Sequence, residues 1–501
     1  MLLSEVANTT ISEVNTAYAL LLFKGHNKDR TSCKSYRTIS TCPVVAKGLD
    51  MFIRNQCIAN WNLDQADTQF QGIGSSHELA AILLTESIQF SNKSLNKPAY
   101  VLYLDAKSAF DVVRKEPLLR NLYNLQGEPD NLIIHVSNRI SHRKTVLDWD
   151  TQIMGPIEDE LGLEQGGVNS SDFYKIFGKE QLQLAQRSGL GVRMKNLTVS
   201  AIGQADDIVL ISNCIFALSY LLTLTSHFCS KYCVELSAEK TKLQVFTSSG
   251  NEHPLYYNPI KIDGIPVPPV SQAEHVGILR STDGNVPTIL ERFSAHKRAL
   301  AAVMHTGLAK SHRSNPASSV KIESLYAVPV LLSGLAALVL SKKEVNMIDQ
   351  HYLDTICKLL RLYKNTPRCV VLFLAGSLPG IALLHLRQLS LFSMICRLPQ
   401  NLLHRHAVNY FSSVATFKGS WFQQIRNLCL MYDLPHPQTL LSFPLGKDQF
   451  KTLAKKHVIS YWEVILRSEA SSLKSFDVLP SKFYVIGCST SNMEHCRKFS
   501  V

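Results

Sequence analysis

A chain of 501 residues with 46% hydrophobic and only 18% charged residues is too apolar to be disordered. It is also too long for one core, so about two to four domains are expected. Lys and Arg outnumber Asp and Glu by 52 to 40, and the net charge of +12 suits a polyanion-binding surface without establishing one.

The 12 cysteines occur with no CxxC pair, and "CSTSNMEHC" near the end lacks zinc-knuckle spacing, so reduced intracellular thiols are expected. Residues 1–23 lack a basic segment before an apolar core, which argues against a secretory signal. Residues 24–50 are polar, basic and punctuated, as in an extended loop. A Ser cap followed by apolar residues at helical spacing predicts a helix over 76–92. "PAYVLYLD" (98–105) reads as a central strand, apolar on both faces. "PLLRNLYNL" reads as a helix with Pro117 at its first position, and 172–189 as another, ended by Gly189.

"LTVSAIGQADDIVLIS" (197–212) predicts two short strands around a tight turn; "SYLLTLTSHFCSKYCVEL" then returns to helix and "KLQVFTS" to strand. The middle third therefore predicts an α+β layer, with helices on one face of a mainly antiparallel sheet. Proline and turn residues mark a break near 250–275. Beyond it, 290–400 is helical and leucine-rich, and 400–501 is a mixed helical tail with Trp421 and Trp462. The longest apolar run, Leu325 to Leu340, is short for a bilayer and contains Pro329 and Gly334, so a buried helix rather than a membrane span is expected.

The residues with the most chemistry are Asp206 and Asp207, adjacent acids inside a strand-forming stretch. Aspartate is depleted in strands and adjacent carboxylates repel, but a hairpin tip accommodates the first problem and a divalent cation the second. An isolated Asp pair is more often an ordinary β-turn. A second acid, Asp105, closes the buried strand "VLYLD". If the two strands are neighbours, three carboxylates converge and suit two Mg²⁺ ions, the arrangement for in-line phosphoryl displacement.

At these residues the sequence resembles the reverse transcriptase domain of non-LTR (LINE-type) retrotransposons. Six segments lie in the family's order, with a thumb-like stretch after them. "KGHNKDRTSCKSYRTIS" is similar to a fingers segment, "AAILLTESI" to the fingers helix, and "VLYLDAKSAFDVV" to the first palm motif. "GLEQGGVNSSDFYKIF" resembles the template-and-nucleotide motif, "GQADDIVLIS" the Asp-Asp hairpin, and "LSAEKTKLQVF" the motif that follows. "RCVVLFLAGSLPGIALLHLRQLSLF" is similar to the thumb region.

The resemblance implies a right-hand polymerase: fingers with an N-terminal extension (1–97), a ferredoxin-like palm (98–275), a helical thumb (276–400) and a helical C-terminal tail (401–501). It implies RNA-templated extension of a DNA primer by deoxynucleoside triphosphates, with two Mg²⁺ ions, a role Mn²⁺ also fills, and no membrane. Asp105 and Asp206 would bind both metals with the Ala106 carbonyl, and Asp207 would add charge near the primer-activating ion. Phe110 would stack on the sugar and reject a 2′-OH; a core Phe is the alternative. Gln165, Gly166 and Gly167 would approach the incoming nucleotide. Lys240 would stabilise the leaving pyrophosphate and Arg37 the triphosphate, against the alternatives of a solvated lysine and a structural loop arginine.

Glu164 stands where the family carries Arg, which weakens triphosphate binding if its side chain points inward. Gln204, Asn169 and Asp172 also depart from the pattern, and "TQFQGIGSS" aligns loosely. No upstream endonuclease is visible, and the tail is too short for an RNase H domain. Two alternatives therefore stay open: a catalytically impaired remnant that only binds nucleic acid, and an RNA-templated RNA polymerase or maturase-like factor, against which Phe110 argues. Nothing in the sequence decides between nucleus and cytoplasm.

Overall fold

The computed structural model describes residues 15–25, 29–32, 35–63, 66–71, 75–125, 130–149, 152–247, 260–304, 316–398, 401–413 and 417–473. "CSTSNMEHC" lies outside them, as do residues 250–259 of the proline-rich break. The chain divides into two compact units, Met1–Val270 and Ser271–Val501.

In the first unit the strands of three or more residues are β1 (Thr16–Phe23), β2 (Tyr36–Thr41), β3 (Ala99–Leu104), β4 (Lys144–Trp149), β5 (Gln152–Glu158), β6 (Val192–Met194), β7 (Leu197–Val199), β8 (Ala201–Gln204), β9 (Asp207–Ser212) and β10 (Lys242–Phe246). The helices are α1 (Val44–Leu63), α2 (His77–Gln89), α3 (Lys115–Tyr123), α4 (Asp130–Ser141), α5 (Ser170–Arg187) and α6 (Ile215–Tyr232). The central sheet runs β10-β3-β9-β8, with every neighbouring pair antiparallel.

All six residues of β3 are buried, which explains its unbroken apolar sequence. Tyr100, Leu102 and Leu104 share one core with Leu210 of β9, Leu182 of α5 and Leu218 of α6. A second core joins α1, α3, α4, α5 and α6 through Trp61, Leu118, Val136, Phe173 and Phe228. Helix α2 is buried from Glu78 to Ile88, as its nearly continuous apolar sequence requires, and the Ser76 hydroxyl accepts the Glu78 N–H at its start.

The stretch expected to be an extended loop, 24–50, instead contains β2 and the start of α1. A second sheet, β2-β1-β4-β5, accounts for this: β1 pairs antiparallel with β2 and parallel with β4. Helix α6 spans 215–232, not the whole of 219–236, because Cys233 turns into the left-handed region at φ 57° and Val234–Leu236 leave the helix.

The second unit opens with an antiparallel strand pair, Gln272–His275 and Ile278–Ser281, and is otherwise helical: α7 (Val286–Val303), α8 (Pro316–Ile322), α9 (Val328–Leu332), α10 (Lys342–Leu359), α11 (Arg368–Ala375), α12 (Gly380–Cys396), α13 (Leu402–Phe411), α14 (Trp421–Met431), α15 (Pro437–Ser442) and α16 (Lys447–Ser471). Helix α12 is its hub, packing against α10, α13, α14, α15 and α16, so the helices beyond residue 400 share one unit with those before it.

The apolar run Leu325–Leu340 is buried over much of its length but is not one helix. It comprises part of a π-helical turn, α9 and a 3₁₀ turn, and Gly334 at φ 77° makes the break. A Cβ on Gly334 would fall 2.5 Å from Ile278 Cγ1. Among the described residues no single helix is long and apolar enough to cross a membrane; the pair α11 and α12, bent by 62°, passes that test only jointly.

Candidate active site

Strand pairing brings the two acidic segments together. In the antiparallel β3–β9 ladder, Leu104 lies opposite Ile208, so the residues that follow and precede them, Asp105 and Asp207, meet at the same end of the sheet. Strands β8 and β9 form a hairpin closed by the Gln204–Asp207 pair, leaving Ala205 and Asp206 as its two-residue turn. Ala205 has φ 54°, a left-handed conformation that costs a residue with a Cβ about 1–2 kcal/mol.

That turn is held from outside the hairpin. Thr68–Gln71 runs beside β8: Gly203 N–H donates to Thr68 O and Phe70 N–H to Gly203 O, both at 3.0 Å, with Gln69 bridging Gly203 in parallel. The buried Gln71 side chain then accepts the Ala205 N–H at the tip. Its Nε2 donates to Ser171 O at the start of α5, 3.1 Å away. Gly203 packs closely here: a Cβ would reach 2.7 Å from Leu182 Cδ1, so the Leu182 side chain would have to shift.

The electrostatics reflect the crowding of like charges. Solvent still reaches Asp206, but neighbouring protein crowds its carboxyl. Loss of solvation and repulsion from Asp105 raise it above the ordinary aspartate range, opposed by the Arg37 guanidinium. Lys240 Nζ lies 3.2 Å from Asp105 Oδ2. The Asp105 backbone is fixed by Thr241 Oγ1, which accepts its N–H at 3.3 Å, and by Ser237, whose N–H donates to its carbonyl at 2.8 Å. Ala106 bridges Leu236, and the bonds of that bridge come from the flanking residues, leaving the Ala106 carbonyl outside it. Among the described residues no group of three or more His, Cys, Asp or Glu could hold a metal ion as arranged.

Around this end of the sheet stand the other residues singled out from the sequence. Phe110, half-buried, stacks on Tyr174 of α5 with ring centroids 4.7 Å apart and planes 22° from parallel. The Tyr174 hydroxyl is buried, and both burial and the nearby Asp206 and Asp207 carboxylates disfavour its ionisation. Gln165 Nε2 donates to Asp111 Oδ1 at 3.0 Å, and Gln165 O accepts the Ser40 N–H at 2.9 Å, joining this loop to β2. Gly166, at φ 111°, must be glycine: a Cβ would approach Ser40 O to 3.0 Å. Its close approach is thus to the β2 backbone. Arg37 is exposed on β2.

The departures from the family pattern also find partners. Glu164 is buried, accepts from Cys42 Sγ at 3.0 Å and lies 4.0 Å from Arg139 Nη2. Arg139 forks onto both oxygens of Asp50, at 3.2 and 2.8 Å. Burial and then the Glu164 charge push the Cys42 thiol up to about 12. The inward-pointing acid considered from the sequence is therefore taken up by a buried charge cluster. Asn169 donates to Asp50 O at 3.2 Å, and buried Asp172 pairs with Arg54 at 2.8 Å and Lys175 at 3.7 Å.

Sequence reasoning missed Gln71, Thr241 and Tyr174. Gln71 sits in the loosely aligned "TQFQG" stretch, and its partner lies 134 residues away, so no local pattern announces it. Tyr174 follows a helical apolar pattern that reads as core, as indeed it is.

Residues 25–277 match the family model described as reverse transcriptase (RNA-dependent DNA polymerase). The chain belongs to the reverse transcriptase family. Over 207 residues it is 24% identical to the retrovirus-related Pol polyprotein from type-2 retrotransposable element R2DM of Drosophila melanogaster. That match covers 41% of this chain and 19% of the relative, so the chain spans about a fifth of the length of the curated protein it matches. Among solved structures, apo telomerase from Candida Tropicalis is 12% identical with a TM-score of 0.42, over 78% of this chain and 68% of that one. Telomerase from Candida albicans, in complex with a TWJ fragment of telomeric RNA, is 10% identical with a TM-score of 0.37, over 76% and 64%. The matched residues take in most of the α+β unit, and a largely helical unit follows it.

Proposed function

We propose that this chain extends a DNA 3′ end on an RNA template with deoxynucleoside triphosphates, and that Asp105, Asp206 and Asp207 are its catalytic carboxylates. The observation that carries the reading is the β3–β9 register, which sets Asp105 against the Asp206–Asp207 turn. The donor chemistry fits divalent Mg²⁺: carboxylate oxygens, with the Ala106 carbonyl beside them, are hard ligands. Repulsion between Asp105 and Asp206 is the strain a divalent cation relieves. Two such ions, when bound, activate the primer hydroxyl and neutralise charge on the leaving group.

The protein's own groups do the rest. Asp105 and Asp206 hold the metals and Asp207 adds charge beside them. Arg37, which already faces Asp206 electrostatically, contacts the triphosphate. Lys240 moves its ammonium from Asp105 to the pyrophosphate as charge develops there. Gln165 and Gly166 line the nucleotide, and the exposed side of Phe110 excludes a 2′-hydroxyl. In this reading residues 1–97 serve as fingers, 98–275 as palm, 276–400 as thumb and 401–501 as a tail. The motive for a binding-only remnant weakens, because Glu164 is occupied by Cys42 and Arg139.

The test is primer extension by the purified chain on an RNA template. Extension that disappears in Asp206→Asn is expected; no extension by the unmodified chain, or equal extension by both, contradicts the proposal.

A further inference from the structure

We infer that Tyr174 is a positioning residue for sugar selection: it fixes the plane of the Phe110 ring. The inference rests on the reading of Phe110 as the residue that rejects a 2′-hydroxyl. A ring excludes a hydroxyl only if it does not yield. Phe110 follows the turn after β3 and is half-buried, so its own contacts leave part of it facing solvent. What backs it is the near-parallel Tyr174 ring at 4.7 Å.

Tyr174 is itself immobilised. It is 6% exposed and lies on α5, where its ring packs against Phe177 at 6.2 Å. Phe177 in turn meets Phe228 at 5.8 Å and Tyr232 at 5.3 Å on α6. Tyr232 ends the ladder with its hydroxyl on Glu180 Oε2 at 2.5 Å, and Lys231 meets the other oxygen of Glu180 at 2.7 Å. Five aromatic rings thus connect the half-buried Phe110 to the packed helix pair α5 and α6. The Phe110 backbone is held as well, its carbonyl accepting the Leu163 N–H at 2.8 Å beside the Gln165 loop. The Tyr174 hydroxyl lies near Asp206 and Asp207, so the same side chain touches the gate and faces the catalytic turn.

The experiment measures kcat/KM for a deoxynucleotide and its ribonucleotide, in matched primer extension by the full chain. Tyr174→Leu removes the ring and is expected to lower the deoxy-over-ribo ratio about tenfold, the scale of one aromatic pair. The change should appear as a fall in the ribonucleotide KM, not as a uniform loss of kcat. Tyr174→Phe keeps the ring and is expected to keep the ratio; it removes only the hydroxyl, so it reports even if the Leu variant folds poorly. A lost ratio in Tyr174→Phe overturns the inference, since stacking would then not be what matters. Phe110→Ala separates the two layers: if it relaxes selection while Tyr174→Leu does not, the inference fails and the gate stands. If neither changes the ratio, the reading of Phe110 fails. If the unmodified chain adds no deoxynucleotide, both fall with the polymerase reading.

Discussion

Replacing Gln71 with Leu removes a side chain that makes two hydrogen bonds, one to the Ala205 N–H at the hairpin turn and one to Ser171 O at the start of α5. The Ala205 amide loses its acceptor in a partly buried position, at a cost of about 1–3 kcal/mol. The Ser171 carbonyl belongs to an exposed residue and regains water, so its loss is smaller. The left-handed Ala205 stores about 1–2 kcal/mol, which an untethered turn is free to release by moving. The released strain partly offsets the lost hydrogen bond, so a stability loss of about 1 kcal/mol is expected in denaturant unfolding, with a displaced Asp206 carboxylate. A misplacement of about 1 Å costs on the order of 100-fold in rate. Single-nucleotide addition under single-turnover conditions should show that loss in the addition rate, with primer–template affinity unchanged by fluorescence anisotropy. Gln71→Glu keeps the acceptor for Ala205 and should lie between. An addition rate within about twofold of the unmodified chain, accompanied by the stability loss, would refute the argument that this amide positions the turn.

Three further outcomes follow from the same structure. Lys240→Ala should change stability by no more than about 1 kcal/mol, because its ion pair with Asp105 is solvent-exposed, yet slow nucleotide addition about 10–100-fold, measured by rapid quench. Glu164→Arg, which restores the family residue, should destabilise the protein by about 3–5 kcal/mol and restore nothing, because it sets a second cation against buried Arg139; thermal unfolding and primer extension check both halves.

The third concerns pH. Burial holds His385 down to about 4, and its Nδ1 lies 2.7 Å from the Tyr432 hydroxyl. The unfolded chain binds that proton near pH 6.5, so the stability His385 contributes is present above pH 6.5 and is lost as pH falls towards 4. The full loss is about 3 kcal/mol. His351, also about 4 because of burial and then His296, acts in the same direction. Trp462, whose Nε1 donates to Tyr432 Oη at 3.0 Å, reports the transition by fluorescence, and His385→Asn should flatten the profile.

The parts of the fold legible in the sequence are those whose signals are local. Six buried residues closed by an acid gave β3, and two apolar stretches around Ala205–Asp206 gave the hairpin. Both are confirmed by register. The sheet β2-β1-β4-β5 was not legible, because the parallel β1–β4 pairing joins segments far apart, and β5 shows no alternation, every residue being exposed. The Leu325–Leu340 run misled for the opposite reason. Its apolar content promises a helix, but Gly334 breaks it, and burial rather than hydrogen-bond periodicity explains its composition. At the candidate site, residue identity located the aspartates, Lys240 and Phe110. Orientation was the missing quantity: nothing local to Glu164 reveals that Arg139 and Cys42 receive it, nor that Tyr174 lies flat against Phe110.

The central claim is that Asp105 and Asp206, brought from two strands to one edge, act as a single unit on the same reacting groups. Single-turnover nucleotide addition by Asp105→Asn, Asp206→Asn and the double variant tests it most directly. Each single change should lower the rate by about 1,000-fold or more, and the double should lose little beyond that, as residues acting together do. Near-normal addition by either single variant, or losses that multiply fully in the double, would contradict it.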